Sequence, residues 1–549
     1  MKLRAALLAS LTLTLGLAFT VPAAAAEPGP VVHAPAGAVK GQAADGVNVF
    51  RGLPYAEAPI GQRRWKPPVP AATWKGVRDA GKFGPVCYQP PSRPGSIYTE
   101  QTGPMSEDCL SLNVWAPADA KGAPVMVWIH GGALVGGASS QSMYDGAALA
   151  KRGVVVVSIN YRLGVLGYLA HPDLSAESPD HVSGNYGLLD QIEALRWVKR
   201  NIAAFGGDPE KVTVAGESAG ALSVMYLMAS PQARGLFHQA IAESAYMIST
   251  PELREAKFGA PSAEQAGLAL ADKLEVRGIA RLRAMDPAAL TIQAPIAGYA
   301  PWGTIDGKVL PAQLVDVFDR GQQAPVPLMA GFNSGEIRSL RFLLPPAPAD
   351  AETYVAAIRR GYGPLADTFL GLYPATGSLD ESMLATTRDA MYGWTAERLA
   401  AKQAAIGQPS FLYFFDHGYP AADKAGLHGF HASEIPYAFG TMSRATPVWP
   451  TPEATAEEAR FGDAVNAYWA SFVRDGAPRA AGHPDWRPYA EQRAYMSFED
   501  MPKAKTHVLP GMYELHEEVV ARRRAKGDTP WGWNVGVIAP PLPDETSPK

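Results

Sequence analysis

Gly216-Glu217-Ser218-Ala219-Gly220 is the segment of this chain whose residue types and spacing most directly suggest covalent chemistry. A serine hydroxyl is a weak nucleophile unless the chain presents it beside a base and a group that stabilises developing negative charge. Val212-Thr213-Val214 before it reads as a buried strand, and Ala221 to Met228 after it reads as an apolar helix. Between strand and helix, glycines flanking the serine let the backbone turn sharply and hold the hydroxyl out at the strand's end. The N-terminus of the following helix favours negative charge there. Outside that context G-x-S-x-G carries little information, because Gly and Ser are common in loops. Within it, the expected chemistry is acyl transfer through Ser218.

That chemistry needs an oxyanion site, a base and an acid. His130-Gly131-Gly132-Ala133 follows the apolar run Val125 to Ile129. Its glycine-rich backbone can turn N–H groups toward a tetrahedral intermediate, joined by the N–H of Ala219. His130 itself reads as a packing residue that holds this loop. Beyond residue 336 lie His417, His428, His431, His483, His507 and His516. Only His428 and His431 fall in a loop between a predicted strand, Phe411 to Phe415, and a helix-like stretch, Ser433 to Phe439. Local pattern does not choose between them. The pair lacks the further clustered ligands that a zinc site needs, so no metal is expected. Glu336 sits just past the predicted strand Val326 to Met329, whereas Asp306, before Gly307, reads more simply as a turn residue. The chain order serine, acid, histidine is that of α/β-hydrolases.

The elements that must position these groups are short apolar runs alternating with helical stretches. Val125 to Ile129, Val154 to Ile159, Val212 to Val214, Val326 to Met329 and Phe411 to Phe415 read as strands buried on both faces. Strands of that kind belong to a mostly parallel sheet flanked by helices, an α/β architecture. Gly187 to Phe205, with Leu188, Leu189, Ile192, Leu195 and Val198 at helical spacing, supplies a crossover. Residues 251–300 and 340–410 read as helical insertions that form a cap or gorge wall. No repeat of fixed period is visible. Of the 549 residues 47% are hydrophobic, and 49 Lys plus Arg stand against 53 Asp plus Glu, a net charge of -4. The balance argues against a general nucleic-acid binder and the apolar content against disorder.

The N-terminus reads as an address. Lys2 and Arg4 precede an apolar run from Ala5 to Phe19, and Ala24-Ala25-Ala26 completes a small-residue cleavage site. This is the pattern of a secretory signal peptide spanning residues 1–26, with cleavage near Ala26. Residues 27–539 are then one catalytic domain, and the Pro-rich polar stretch 540–549 is expected to be a disordered tail. No later stretch is apolar for the length of a membrane span. In an exported protein the chain's two cysteines, Cys87 and Cys109, are expected to pair. Closing that loop contributes roughly 3 kcal/mol by chain entropy.

Beyond these local readings, the chain resembles the type-B carboxylesterase family, which includes cholinesterases and bacterial para-nitrobenzyl esterases, over nearly its whole mature length. The similarity runs through Phe50-Arg51-Gly52-Leu53-Pro54-Tyr55-Ala56, Pro59-Ile60-Gly61, Arg64-Trp65 and Ser106-Glu107-Asp108-Cys109-Leu110-Ser111-Leu112-Asn113-Val114. It continues through Trp128 to Ala133, Asn160-Tyr161-Arg162, Gly184 to Leu188, Phe205 to Pro209 and Gly216 to Gly220. The resemblance implies an α/β-hydrolase fold and places the triad acid at Glu336, within Gly331 to Glu336. The family's usual acidic residue before that acid is Gly335 here, and its usual glycine after it is Ile337. It selects His431, within Gly429 to Gly440, over His428. It puts the oxyanion donors at Gly132, Ala133 and Ala219, pairs Cys87 with Cys109, and makes Arg64 and Glu107 a structural ion pair.

What the resemblance implies is a secreted serine esterase that acts on small-molecule carboxylic esters through an acyl-enzyme, without metal or organic cofactor. Activity is expected to rise from about pH 6 to 8 as the histidine base becomes neutral. Other readings are a binding protein, because some family members have lost the nucleophile, and cleavage of amides or carbamates. Trp302, Trp394 and Tyr437 read either as gorge lining or as core aromatics. No residue of the Cys87 to Cys109 loop matches the choline-binding tryptophan of cholinesterases, so a choline ester is not favoured. Destination is periplasmic or extracellular.

Overall fold

In the computed structural model the described residues are 29–100, 103–532 and 535–543. The predicted signal peptide therefore lies outside them, as do residues 544–549 of the predicted tail. Among the described residues eleven strands form one sheet. Their order is Pro502–Thr506, Ala494–Phe498, Ser410–Phe415, Leu328–Asn333, Gln239–Glu243, Gly207–Glu217, Ala123–Ile129, Val155–Ile159, Ser111–Pro117, Val47–Pro54 and Gln42–Ala44. The seven strands from Ala494–Phe498 to Val155–Ile159 run parallel. The outer strands pair antiparallel. Val31–Ala34, Gly37–Lys40 and Val77–Asp79 make a separate small sheet.

Alternation along the central strands builds two cores. Val125, Val127, Ile129, Val212, Val214, Ala240, Leu328, Ala330 and Leu412 face one side. Met126, Trp128, Ala215, Ile241, Met329, Phe411 and Tyr413 face the other. Each fully buried Val or Leu contributes roughly 1.5–3 kcal/mol, so a one-residue slip in register would expose a whole face. The first core is covered by helices Tyr186–Asn201, Ala219–Ala229 and Trp394–Ala405, the second by Ile435–Phe439 and Ala456–Asp475.

Two readings of the sequence are corrected. The strand expected at Val326 to Met329 runs instead from Leu328 to Asn333. Pro327 has no N–H for a sheet ladder, so pairing begins after it. The second expected insertion, 340–410, ends in Trp394–Ala405, which packs on the sheet through Ala396, Leu399 and Ala400 and is part of the main core. Residues 540–543, expected in the tail, are held: Leu542 N donates to Gly361 O at 3.0 Å, and its side chain packs with Tyr354 and Phe369. Among the described residues no helix is long and apolar enough to cross a membrane.

Chain order reverses between Ala123–Ile129 and Gly207–Glu217: the chain leaves the first strand to one side and crosses over to the second on the other. In open parallel sheets such a switch leaves a crevice at the carboxyl ends of the two strands. His130 and Ser218 are the residues that follow those ends.

Candidate active site

Ser218 caps helix Ala219–Ala229 with φ 56° and ψ -119°. That backbone lies outside the regions open to an ordinary side chain and costs of order 1–3 kcal/mol. Packing holds it there. A Cβ on Gly220 would lie 2.1 Å from Ile129 O, and one on Gly216 2.6 Å from the Gly220 carbonyl carbon. Only glycine permits so tight a strand-to-helix turn. Ser218 N donates to Glu243 O on the neighbouring strand at 2.9 Å. The side chain stands half-buried at the helix N-terminus.

The loop after Ile129 packs against this turn, since a Cβ on Gly131 would be 3.3 Å from Ser218 Cβ. Gly132, Ala133 and Leu134 all have positive φ, and Val135 N and Gly136 N both donate to Gly132 O. His130 anchors the loop. It is buried and stacks on Tyr161 at 4.6 Å, and Tyr161 OH donates to its carbonyl at 2.9 Å. Burial lowers its pKa to about 4. That is the packing role read from the sequence.

Glu336 is fully buried and receives three donors: Asn333 N at 2.8 Å, Ser244 Oγ at 2.7 Å and His431 Nδ1 at 2.5 Å. Three donors hold the carboxylate in one orientation. The structure brings together Glu336 and His431, 95 residues apart in sequence. His428 instead bonds Asp423 and Asp416 at the surface, so it and His431 do not form one ligand set. Asp306 accepts from the backbone N–H groups of Lys308, Val309 and Leu310, a turn residue as read.

Sequence reasoning missed the other neighbours of His431. Its Nε2 meets Glu217 Oε1 at 2.9 Å. Burial alone would lower the pKa of His431, but Glu217 and Glu336 outweigh it and hold the imidazole well above its usual value. Burial pushes the Glu217 carboxyl up, and His431 pulls it the other way. Glu434, bonded by Asn333 Nδ2 and Tyr413 OH, is pushed up to about 8 by burial and by Glu217 and Glu336. Glu217 is the first x of the serine motif and was legible as a residue, but nothing local marks it as a partner of a histidine 214 positions on.

Of the two readings of the aromatics, the structure favours the core for Trp394 and Tyr437. Trp394 donates to Glu517, and Tyr437 donates to Glu458 from inside the core. Trp302 packs partly buried against the main core. The rings beside His431 are Tyr392 at 5.3 Å and Tyr98 at 6.4 Å. Tyr98 OH donates to the His431 carbonyl at 2.9 Å. It belongs to the loop closed by the Cys87–Cys109 disulfide. A cavity of about 740 Å³, lined by Arg93, Thr99, Arg444 and Val448 among others, opens between that loop and segment 444–448. Arg64 and Glu107 form a two-point ion pair at 2.6 Å, and Arg64 also donates to Arg283 O and Met285 O, a structural clamp.

The carboxylesterase family model matches residues 28–363 and 365–515. The chain belongs to the carboxylesterase family. It is 37% identical over 493 residues to the fumonisin B1 esterase of Sphingopyxis macrogoltabida, covering 88% of each chain. It is 37% identical over 465 residues to the para-nitrobenzyl esterase of Bacillus subtilis, covering 83% of this chain and 92% of that one. A solved PNB esterase superposes with a TM-score of 0.75 at 33% identity, covering 88% of this chain and 99% of that one. The carboxylesterase of Geobacillus stearothermophilus gives 0.74 at 32% identity, with the same coverage. The fold is the α/β-hydrolase fold, and the protein is a carboxylic ester hydrolase.

Proposed function

We propose that this carboxylesterase is exported and works through Ser218, His431 and Glu336. The observation that carries the reading is the buried 2.5 Å bond between His431 Nδ1 and Glu336 Oε2, beside a strained serine at the switch point of the sheet. Glu336 fixes the ring and the tautomer and stabilises the imidazolium once it forms. His431 Nε2 moves from Glu217 to the neighbouring Ser218 hydroxyl and takes its proton as the oxygen attacks the ester carbonyl. The N–H groups of Gly132, Ala133 and Ala219 receive the negative charge on the carbonyl oxygen. His431 returns the proton to the departing alcohol, and then activates water to release the acid.

Export is supported by the basic start, apolar run and Ala24-Ala25-Ala26 site, together with a disulfide suited to an oxidising compartment. N-terminal sequencing of the secreted chain should begin near Glu27. Relatives named for fumonisin B1 and para-nitrobenzyl esters make those compounds early substrates to try, after simple para-nitrophenyl esters. Hydrolysis of para-nitrophenyl acetate and butyrate by the wild type and by Ser218→Ala, each checked for folding, is the direct test. The variant should lose about four or more orders of magnitude in kcat. Equal turnover in both proteins means a different nucleophile.

A further inference from the structure

Four carboxyl groups, Glu217, Glu243, Glu336 and Glu434, are at most 3% exposed and act on one another, and two of them, Glu217 and Glu336, hold the His431 imidazole. Glu217 and Glu243 are in register on adjacent parallel strands, so their side chains leave the same face of the sheet a strand spacing apart. Glu243 lies next to Ser244, which donates to Glu336, and its own carbonyl accepts from Ser218 N. Among the described partners of these carboxylates His431 is the one cationic group. Four neighbouring carboxyl groups with one cationic partner, and water excluded, is an arrangement that buried groups escape by keeping protons.

The hydrogen bonds say where a proton stays. Glu336 has three donors and Glu434 has Asn333 and Tyr413, while Glu217 Oε1, a buried oxygen without an aligned hydrogen bond, has the His431 Nε2 charge 2.9 Å away. Glu243 has one donor, Trp469 Nε1 at 2.7 Å on Oε1, and its buried Oε2 has no partner. The groups that act on it from the elements around it are Glu217 on the next strand, Glu434 before helix Ile435–Phe439, Tyr413 on strand Ser410–Phe415, Tyr144 and the Trp469 indole. None of these is a cation. A buried oxygen without a donor, facing carboxylates, is satisfied when it carries hydrogen and donates.

We propose that Glu243 is a positioning residue of the esterase site, held as a neutral carboxylic acid at neutral pH and donating its O–H to the carboxylate of Glu217, its in-register neighbour. This deepens the Ser218–His431–Glu336 reading and rests on it. The neutral acid withholds one negative charge from the surroundings of His431. Its hydrogen bond also keeps the Glu217 carboxylate ionised and directed. An ionised Glu243 would hold the imidazolium more tightly and remove the base that Ser218 needs. Burial, with Glu434 and Glu217 adding to it, raises the Glu243 carboxyl well above the usual carboxylate range, in the direction this assignment requires.

The infrared difference between wild type and Glu243→Gln at neutral pH tests the protonation without using activity. Loss of a protonated-carboxyl C=O band is expected, and loss of a carboxylate band overturns the proposal. The pH dependence of kcat/KM tests the role. Gln is neutral and donates, so its midpoint should stay within about 0.3 of a pH unit of wild type, whereas Glu243→Leu should move the midpoint down by about one unit and lower kcat about tenfold. A Gln midpoint that falls by a unit means Glu243 was charged, and a Leu variant with wild-type midpoint and kcat removes the positioning role. Where the Leu variant does not fold, the infrared band and the Gln midpoint decide. An enzyme whose Ser218→Ala variant stays active while the acid band is present would refute the triad and leave the protonation standing.

Discussion

His428 and His431 stand three residues apart, each between two carboxylates, and the structure puts them in opposite surroundings. His428 bonds Asp423 and Asp416 with its side chain 42% exposed, and these carboxylates raise its pKa to about 9. His431 bonds Glu336 and Glu217 with its side chain 6% exposed. The local chemistry is nearly the same. Exposure separates them: water screens the first pair, whereas the second acts in a dry site where a carboxylate holds a ring in one orientation. Under the proposed triad, what sets the second pair apart is its dry setting, with His431 against Glu217, the residue before Ser218.

Substituting the two histidines tests that contrast most severely. His431→Ala should cost about four to six orders of magnitude in kcat, while His428→Ala should stay within about threefold, both measured with para-nitrophenyl butyrate. A comparable loss in both would erase the distinction. Removing charge from the acids should give the next largest effect. Glu336→Gln should lower kcat by about 10³ to 10⁴ through a wrong tautomer, and Asp416→Asn should change it little.

The finest test is the pH profile. Because Glu217 stabilises imidazolium, the acid limb of kcat/KM should lie above the ordinary histidine value, and so toward or beyond the upper part of the pH 6 to 8 range expected from sequence. The sign follows: removing the Glu217 charge makes the proton easier to lose, so Glu217→Gln should move the limb to lower pH. Asp416→Asn should lower the pKa of His428 seen by NMR and leave the limb in place. A profile unchanged in Glu217→Gln would mean that the 2.9 Å contact is not kept in the working enzyme.

The strands rich in β-branched residues were legible because an apolar run buried on both faces needs no partner to announce itself. The strand through Gly331 was less legible. Glycine weakens a strand signal, yet here a Cβ would lie 2.2 Å from the Tyr413 ring, so packing demands it. The polar edge strands Gln42–Ala44 and Pro502–Thr506 escaped notice for a related reason: most of their residues face water, and only pairing makes them strands. For Trp394 and Tyr437 the sequence left gorge and core both open, because residue type says nothing about which side of a wall a ring lies on.

By itself the sequence determined the groups whose geometry is local: the turn at Ser218, where Gly216 and Gly220 leave room that no other residue leaves, and the loop at Gly132. The family resemblance supplied Glu336 and His431. Tertiary structure alone decided that Glu217 meets His431, that Tyr98 holds the histidine's carbonyl, and that Glu217, Glu243, Glu336 and Glu434 share one dry space. The physical reason is that charge interactions depend on distance and on exclusion of water, and both are set by how strands far apart in the chain come into register.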